Sequence, residues 1–362
     1  MSQPILICRA CDFMSSCALL GDQCPSDHSL LLPRATLDAA ARDPFVGRVL
    51  GRRYLLLEAP DPDGAVPLYR GFDLTAREPV SVKLLRVDGA AGAERFAREG
   101  RALRRVAHPT LPRVRAMGTE PGGLAWMAFE AIAGQPLRRV IAEQRISPNR
   151  AINITLRILA ALDRLHAAGL VHGDLCPGAV WVVPGGLRNN DEIKLVDCGA
   201  AAPPEEAITS ADSGLGPGYR APEQFTGGAP GLASDLYATG LLLYEMLTGH
   251  PPFEGGLSFE RMLHHCRLPV PPLELAPEFA RLEEVVYQAL DKSPAARWRQ
   301  ARSMALALKA AFVTRGGERV AQTSAPPVAA PAPTDSQPPR RPPRLSKTAL
   351  SLVAAALGGL PA

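Results

Sequence analysis

Four charged side chains and four cysteines stand where their types and spacing could do chemistry. Lys83 closes the run "VSVK", whose alternation suits a strand with its cation turned inward. Glu99 lies three residues after Phe96 and four before Leu103, so a helix through this stretch carries it on the apolar face. A carboxylate there is costly unless something pairs with it, and Lys83 is the natural partner. A lysine–glutamate pair bridging strand and helix can hold phosphates; the plainer reading is two unrelated charges at the edges of the fold. Further on, "HGDLCPGAV" carries Asp174, and "IKLVDCGAA" reads as a strand delivering Asp197 into a turn with Gly199. Near the N-terminus, Cys8, Cys11, Cys17 and Cys24 could ligate one Zn²⁺ through four thiolates. The Cys8-x-x-Cys11 spacing suits a zinc knuckle, while the gap between Cys17 and Cys24 does not. Reduced free thiols are therefore the competing reading.

These groups need elements to position them. "RRYLLLEA" and "PVSVKLLRV" read as strands, rich in β-formers and bounded by Pro, Asp and Gly, and "GLAWMAFEAI" reads as another. From about Ala93 to Val106 the spacing predicts a helix with Phe96, Leu103 and Val106 on one face. After Gly134 the character turns helical. "ILAALDRLHAAGL" sets Ile158, Leu162 and Leu165 at helical spacing and stops at Gly169. "LYATGLLLYEMLTG" is apolar nearly all round, which predicts a helix buried on several sides. A small β-rich lobe thus precedes a larger helical lobe, an α+β, bilobal architecture without internal repeats. Composition divides the chain into a cysteine-containing segment (1–45), a globular domain (46–320), a proline-rich linker (321–344) and a short apolar tail (345–362).

Within the globular part, "GYRAPEQ" and "SDLYATG" follow "IKLVDCGAA" in order. Over roughly residues 50 to 312 the chain resembles the bacterial eukaryotic-like (Hanks-type) Ser/Thr protein kinases. The resemblance sets "VSVK" on the V-A-I-K strand, His172–Asp174 on H-R-D, Asp197–Gly199 on D-F-G and Ala221–Glu223 on A-P-E. It implies a bilobal kinase fold with ATP and Mg²⁺ as cofactors. Lys83 and Glu99 would serve ATP binding, Asp174 would be the catalytic base, and Asp197 would hold Mg²⁺. It further implies protein partners or substrates, and an ion pair between Arg297 and Glu223.

The pattern breaks at defined positions. The family covers ATP phosphates with a glycine-rich loop, because only glycine lets backbone N–H groups come that close. The corresponding stretch is "APDPDGAVPLYRG": only Gly64 survives, Asp61 and Asp63 bring negative charge, and Pro60, Pro62 and Pro67 each remove a donor. In the catalytic loop Gly173 replaces an arginine, Cys176 a lysine and Ala179 the asparagine that holds a second Mg²⁺. The threonine that would bond that lysine is Gly216 here, so both ends of one interaction are missing together. Removing one aimed polar group from a transition state typically costs ~10²–10³ in rate. The main expectation is a pseudokinase that works by binding proteins. A low-activity Ser/Thr kinase and a purely structural interaction module without nucleotide are the alternatives.

Composition sets outer bounds. The 362 residues carry a net charge of only +4, part of it in one basic proline-rich segment, and no nucleic-acid footprint emerges. The arginine-dense "RFAREGRALRRVAHP" alternates with apolar residues and reads as a solvated helix face. Seven scattered cysteines do not form a disulfide framework, and no secretory signal is evident, so a cytoplasmic protein is expected. Fifteen uncharged residues follow Lys347, short of the ~20 that a membrane helix needs. Behind a flank of Arg340, Arg341, Arg344 and Lys347, this tail reads as a truncated span, a weak membrane anchor or a disordered end.

Overall fold

The computed structural model describes residues 5–11, 13–16, 18–64, 67–87, 89–183, 191–198, 217–253 and 258–313, all of them within one compact unit from Met1 to Gly317. The chain begins with β1 (Leu6–Cys8), β2 (Met14–Ser15) and β3 (Leu31–Pro33), a small antiparallel sheet in the order β2-β1-β3. A short helix α1 (Arg34–Ala40) leads from it into the first lobe.

That lobe is built on β4 (Val49–Leu50), β5 (Tyr54–Glu58), β6 (Leu68–Asp73), β7 (Glu78–Arg86), β8 (Val114–Glu120) and β9 (Leu124–Glu130). All pair antiparallel in the order β4-β5-β6-β7-β9-β8. The two-residue period of β7 divides its side chains between two cores. Val80, Val82 and Leu84 join Tyr54, Leu56, Tyr69 and Trp126 on one face. Lys83 is sent to the other, where α2 (Gly89–Arg105) lies. Helix α2 starts four residues before the predicted Ala93, because glycine and alanine at its beginning give no apolar period to read. Phe96, Glu99, Leu103 and Val106 are all buried, while Arg101, Arg104 and Arg105 face solvent. Gly100 lets the helix come close: a Cβ there would sit 2.8 Å from the Met117 side chain and 2.9 Å from Met127.

The second lobe is helical. After α3 (Leu137–Glu143), α4 (Pro148–Ala167) opens with Ser147 accepting from the Arg150 N–H and with proline in its first turn, where no N–H is missed. Ile158, Leu162 and Leu165 are wholly buried on it. Helix α6 (Leu232–Thr248) is buried from Ser234 through Leu247, as its all-round apolar sequence predicts. Helices α5 (Pro222–Phe225), α7 (Ser258–Arg267), α8 (Ala280–Ala289) and α9 (Ala301–Val313) complete the described lobe. One continuous apolar cluster runs from Phe96 and Leu103 on α2 to Leu308 on α9, so the lobes share a core.

A third small sheet, β10 (Gln135–Pro136), β11 (Val180–Val183) and β12 (Glu192–Leu195), sets the geometry of the cleft. β11 pairs antiparallel with β12, Val180 opposite Leu195, and the Val196 N–H donates to Ala179 O at 2.9 Å. The loop before β11 and the turn after β12 therefore reach the same end of the ladder. Those are the segments of Asp174 and Asp197.

β6 and β8 were not legible as strands; β6 lies partly within the stretch aligned with the glycine-rich loop, its period interrupted by Arg70 and Gly71. Gly199, Gly216, the linker at 321–344 and the tail at 345–362 lie outside the described residues, and with them the expectations of linker and membrane anchor. Among the described residues no helix is long and apolar enough to cross a membrane.

Candidate active site

Lys83 stands between two carboxylates. Its Nζ donates to Glu99 Oε1 at 2.9 Å and Oε2 at 2.7 Å, and to Asp197 Oδ1 at 2.7 Å. The Lys83 side chain is 5% exposed, that of Glu99 2% and that of Asp197 11%. Burial by itself would drive the proton off Lys83; the charges of Asp197 and Glu99 outweigh it and hold the pKa above the ordinary lysine value. Lys83 is thus a cation at any neutral pH. Asp197 has φ +63°, a left-handed conformation that costs a non-glycine residue roughly 1–2 kcal/mol. Such strain persists only where the surroundings hold it. Here the neighbouring Cys198 is fully buried in the shared core, and the Asp197 carboxylate is held on Lys83.

The loop carrying Asp174 is fixed from beneath. Asp235, 1% exposed on α6, accepts the backbone N–H groups of His172 and Gly173 at 2.8 Å each, and its Oδ2 also lies 2.8 Å from His166 Nε2. His172 is buried, burial depresses its pKa, and neither ring nitrogen has a hydrogen-bond partner among the described residues. Its ring is packed in the interior. Gly173 has φ +77°, so the residue that replaces the family's arginine relieves backbone strain at that turn. Gln224 Nε2 donates to Gly173 O at 3.1 Å and ties α5 to the loop. Asp174 itself is half-buried beside this frame.

The substituted positions point inward. Cys176 is 2% exposed and Ala179 0%, and the Ala179 N–H donates to Cys176 O at 3.0 Å. Burial, reinforced by the charge of Asp174, pushes the Cys176 thiol up to about 12. At these two positions there is neither a positive charge nor an oxygen ligand. Mg²⁺ takes octahedral oxygen ligands, so of the two family metal positions only the one at Asp197 has a protein carboxylate to offer.

The loop between β5 and β6 is engaged elsewhere. Asp61 Oδ1 accepts from Arg139 Nη2 at 2.8 Å, and Asp63 Oδ2 accepts from Arg139 Nε at 3.0 Å, across to α3. The Asp63 and Gly64 N–H groups turn back to Asp61 Oδ1 and Asp61 O, each at 3.0 Å. Among the described residues of the loop, the Asp63 and Gly64 donors are spent within it, and the two aspartates have a protein cation. These residues do not fit a phosphate chain, whereas Lys83 with Glu99 and Asp197 fit one phosphate group and one Mg²⁺. Sequence reasoning missed Arg139, which is separated from its partners by more than seventy residues and carries no local signal.

Below the cleft, Arg297 donates from Nη1 and Nη2 to Glu223 Oε1 and Oε2, each at 2.8 Å, its side chain wholly buried. This is the pair that the resemblance implies. At the N-terminus, Cys8, Cys11 and Cys24 come together with Asp27, which sequence reasoning passed over; Cys17 lies outside the described residues.

A β-rich lobe whose strand lysine pairs with a helix glutamate, above a helical lobe with an aspartate-anchored loop, is the framework of the protein kinases. The family described as "Protein kinase domain" matches residues 64–303, and the chain belongs to it, within the bacterial Hanks-type Ser/Thr kinases. It is 32% identical over 271 residues to Serine/threonine-protein kinase pkn3 of Myxococcus xanthus, covering 70% of this chain and 49% of that protein. It is 32% identical over 278 residues to a probable serine/threonine-protein kinase of Corynebacterium efficiens, covering 72% of this chain and 41% of that protein. With Serine/threonine-protein kinase PknA of Mycobacterium tuberculosis it shares 32% over 301 residues, 80% of this chain and 68% of that protein. The chain thus spans about half the length, or less, of the first two relatives.

Proposed function

We propose that this chain is a kinase-fold signalling protein that acts by binding other proteins and transfers phosphate weakly or not at all. The observation that carries this reading is the interior of the catalytic loop. Cys176 and Ala179, at the positions of the family's lysine and second-metal asparagine, are buried groups without charge or ligand oxygen. The Arg139 clamp on Asp61 and Asp63 adds to it, because the loop that should meet phosphates is tied down by its own anions.

A second reading has one observation in its favour. Lys83 Nζ stands 2.7–2.9 Å from carboxylate oxygens of both Glu99 and Asp197, an arrangement that suits one phosphate group and one Mg²⁺. In that case the chain is a low-activity Ser/Thr kinase, with Asp174 as base and Asp197 as the Mg²⁺ ligand. Purified full-length chain incubated with γ-labelled ATP and Mg²⁺ separates the two. The expected result is transfer at the detection limit, with at most a small Mg²⁺-dependent thermal shift on ATP. Robust autophosphorylation that disappears in Asp174→Asn overturns the first reading in favour of the second. The absence of any nucleotide-induced shift leaves an interaction module without nucleotide.

A further inference from the structure

Two turns near the N-terminus are built alike. In one, the Ala10 N–H donates to Cys8 Sγ at 3.3 Å; in the other, the Ser26 N–H donates to Cys24 Sγ at 3.4 Å. Each turn offers a second ligand-type side chain three residues after its first cysteine: Cys8-x-x-Cys11 and Cys24-x-x-Asp27. The sheet brings them face to face. β1 ends at Cys8, which pairs with Leu31 of β3, and the Cys24 turn closes just before β3 through Cys24 N–H to Ser29 O at 2.7 Å and His28 N–H to Cys24 O at 3.0 Å.

One ligand atom from each of Cys8, Cys11, Cys24 and Asp27 lies within 4.8 Å of all the others. Cys11 Sγ and Cys24 Sγ are 3.5 Å apart, and Cys8 Sγ is 3.3 Å from Asp27 Oδ2. A disulfide would require about 2.05 Å; two sulfurs on a tetrahedral centre with metal–sulfur bonds of about 2.3 Å stand about 3.8 Å apart. The three thiols are free, and the Cys11–Cys24 gap of 3.5 Å is close to that of two sulfur ligands on one ion. Ser29 supplies the outer support: its N–H and hydroxyl donate to Asp27 Oδ1 at 2.9 and 2.7 Å, leaving Oδ2 turned to the sulfurs.

Packing argues the same way. The apolar cluster of this segment consists of Leu6, Cys8, Cys24 and Leu31 with Ala18 and Leu20 beside it. Cys8 and Cys24 are its centre, 0% and 1% exposed, and no disulfide joins them.

We infer that Cys8, Cys11, Cys24 and Asp27 bind one structural Zn²⁺ in a closed four-ligand site. Three soft thiolates favour zinc over the hard cations, and four protein ligands leave no open position for catalysis. Binding releases the thiol protons to solvent and replaces the sulfur–sulfur and sulfur–carboxylate contacts with metal bonds. The sequence pattern is C-x₂-C-x₁₂-C-x₂-D.

The test uses the full chain, purified under reducing conditions without chelator. Metal analysis should return close to one zinc per chain, and exchange for Co²⁺ should give a thiolate-to-metal charge-transfer band. Zinc content should fall to a small fraction in Cys24→Ser and Asp27→Ala and stay near one in Cys17→Ser. A wild-type protein that carries no zinc and takes up none when it is added overturns the site. Full zinc in Asp27→Ala, or loss of zinc in Cys17→Ser, overturns the ligand set. Should the ligand variants fail to fold, wild-type stoichiometry and the cobalt spectrum still decide whether the site exists.

Discussion

Lys83 gives up nearly all its water on folding, and its charge survives because Glu99 and Asp197 each stand 2.7 Å away. Removing one member of a buried pair leaves the other charge stranded, which typically costs about 3–5 kcal/mol, against about 0–1 for an exposed pair. Lys83→Met takes from both carboxylates the cation they share, whereas Glu99→Gln leaves Lys83 with Asp197. Denaturant unfolding without nucleotide should therefore rank Lys83→Met as the more destabilising change, at a cost of roughly 3 kcal/mol or more. The double mutant should show coupling above about 0.5 kcal/mol, the scatter of independent sites. Smaller coupling would mean that the pair does not hold α2 on its sheet and is retained for a ligand alone.

At the scale of elements, the β5–β6 loop and α3 are joined by Arg139 to Asp61 and Asp63. The Arg139 side chain is 33% exposed, and pairs this open to water contribute only about 0–1 kcal/mol. Arg139→Ala should change global stability by less than about 1 kcal/mol. It should nevertheless raise amide exchange at Asp63 and Gly64, whose N–H groups depend on the position of Asp61. Raised salt should act in the same direction on the wild type, because the clamp is ionic. Unchanged exchange in the variant would show that the turn stands without its arginine.

Across the whole molecule, the helical lobe encloses a histidine that cannot easily accept a proton. His265 on α7 is fully buried, with its Nδ1 3.0 Å from the Tyr237 hydroxyl and the Phe253 ring 4.9 Å away. Burial, aided by the charge of Lys292, pushes it down to about 3. The unfolded chain takes up this proton near pH 6.5, the folded chain only near 3. Its contribution is therefore complete above about pH 6.5 and is lost as pH falls toward 3, where the unfolded state binds the extra proton. The buried His172 acts in the same direction. Unfolding free energy measured from pH 7 to 4 should fall with a slope that His265→Phe reduces by up to about 1.4 kcal/mol per pH unit, the effect of one proton. An unaltered slope would assign the acid sensitivity to other groups.

What could be read from the sequence alone was whatever local period encodes. The two-residue alternation of "VSVK" and the helical spacing of Phe96, Glu99 and Leu103 put a cation and a carboxylate on inward faces, and both are buried there. The all-round apolar run of α6 announced its burial in the same way. Period says which face a residue occupies, but not what arrives opposite it from a distant part of the chain. So Arg139 meeting Asp61 and Asp63, Asp235 holding the backbone of His172 and Gly173, and Asp197 closing on Lys83 were decided by the packing of helices and ladders. Asp27 lies between these cases. Its spacing from Cys24 repeats that of the first cysteine pair, yet a lone carboxylate among thiols gains meaning only when the three-stranded sheet folds the two turns onto one point.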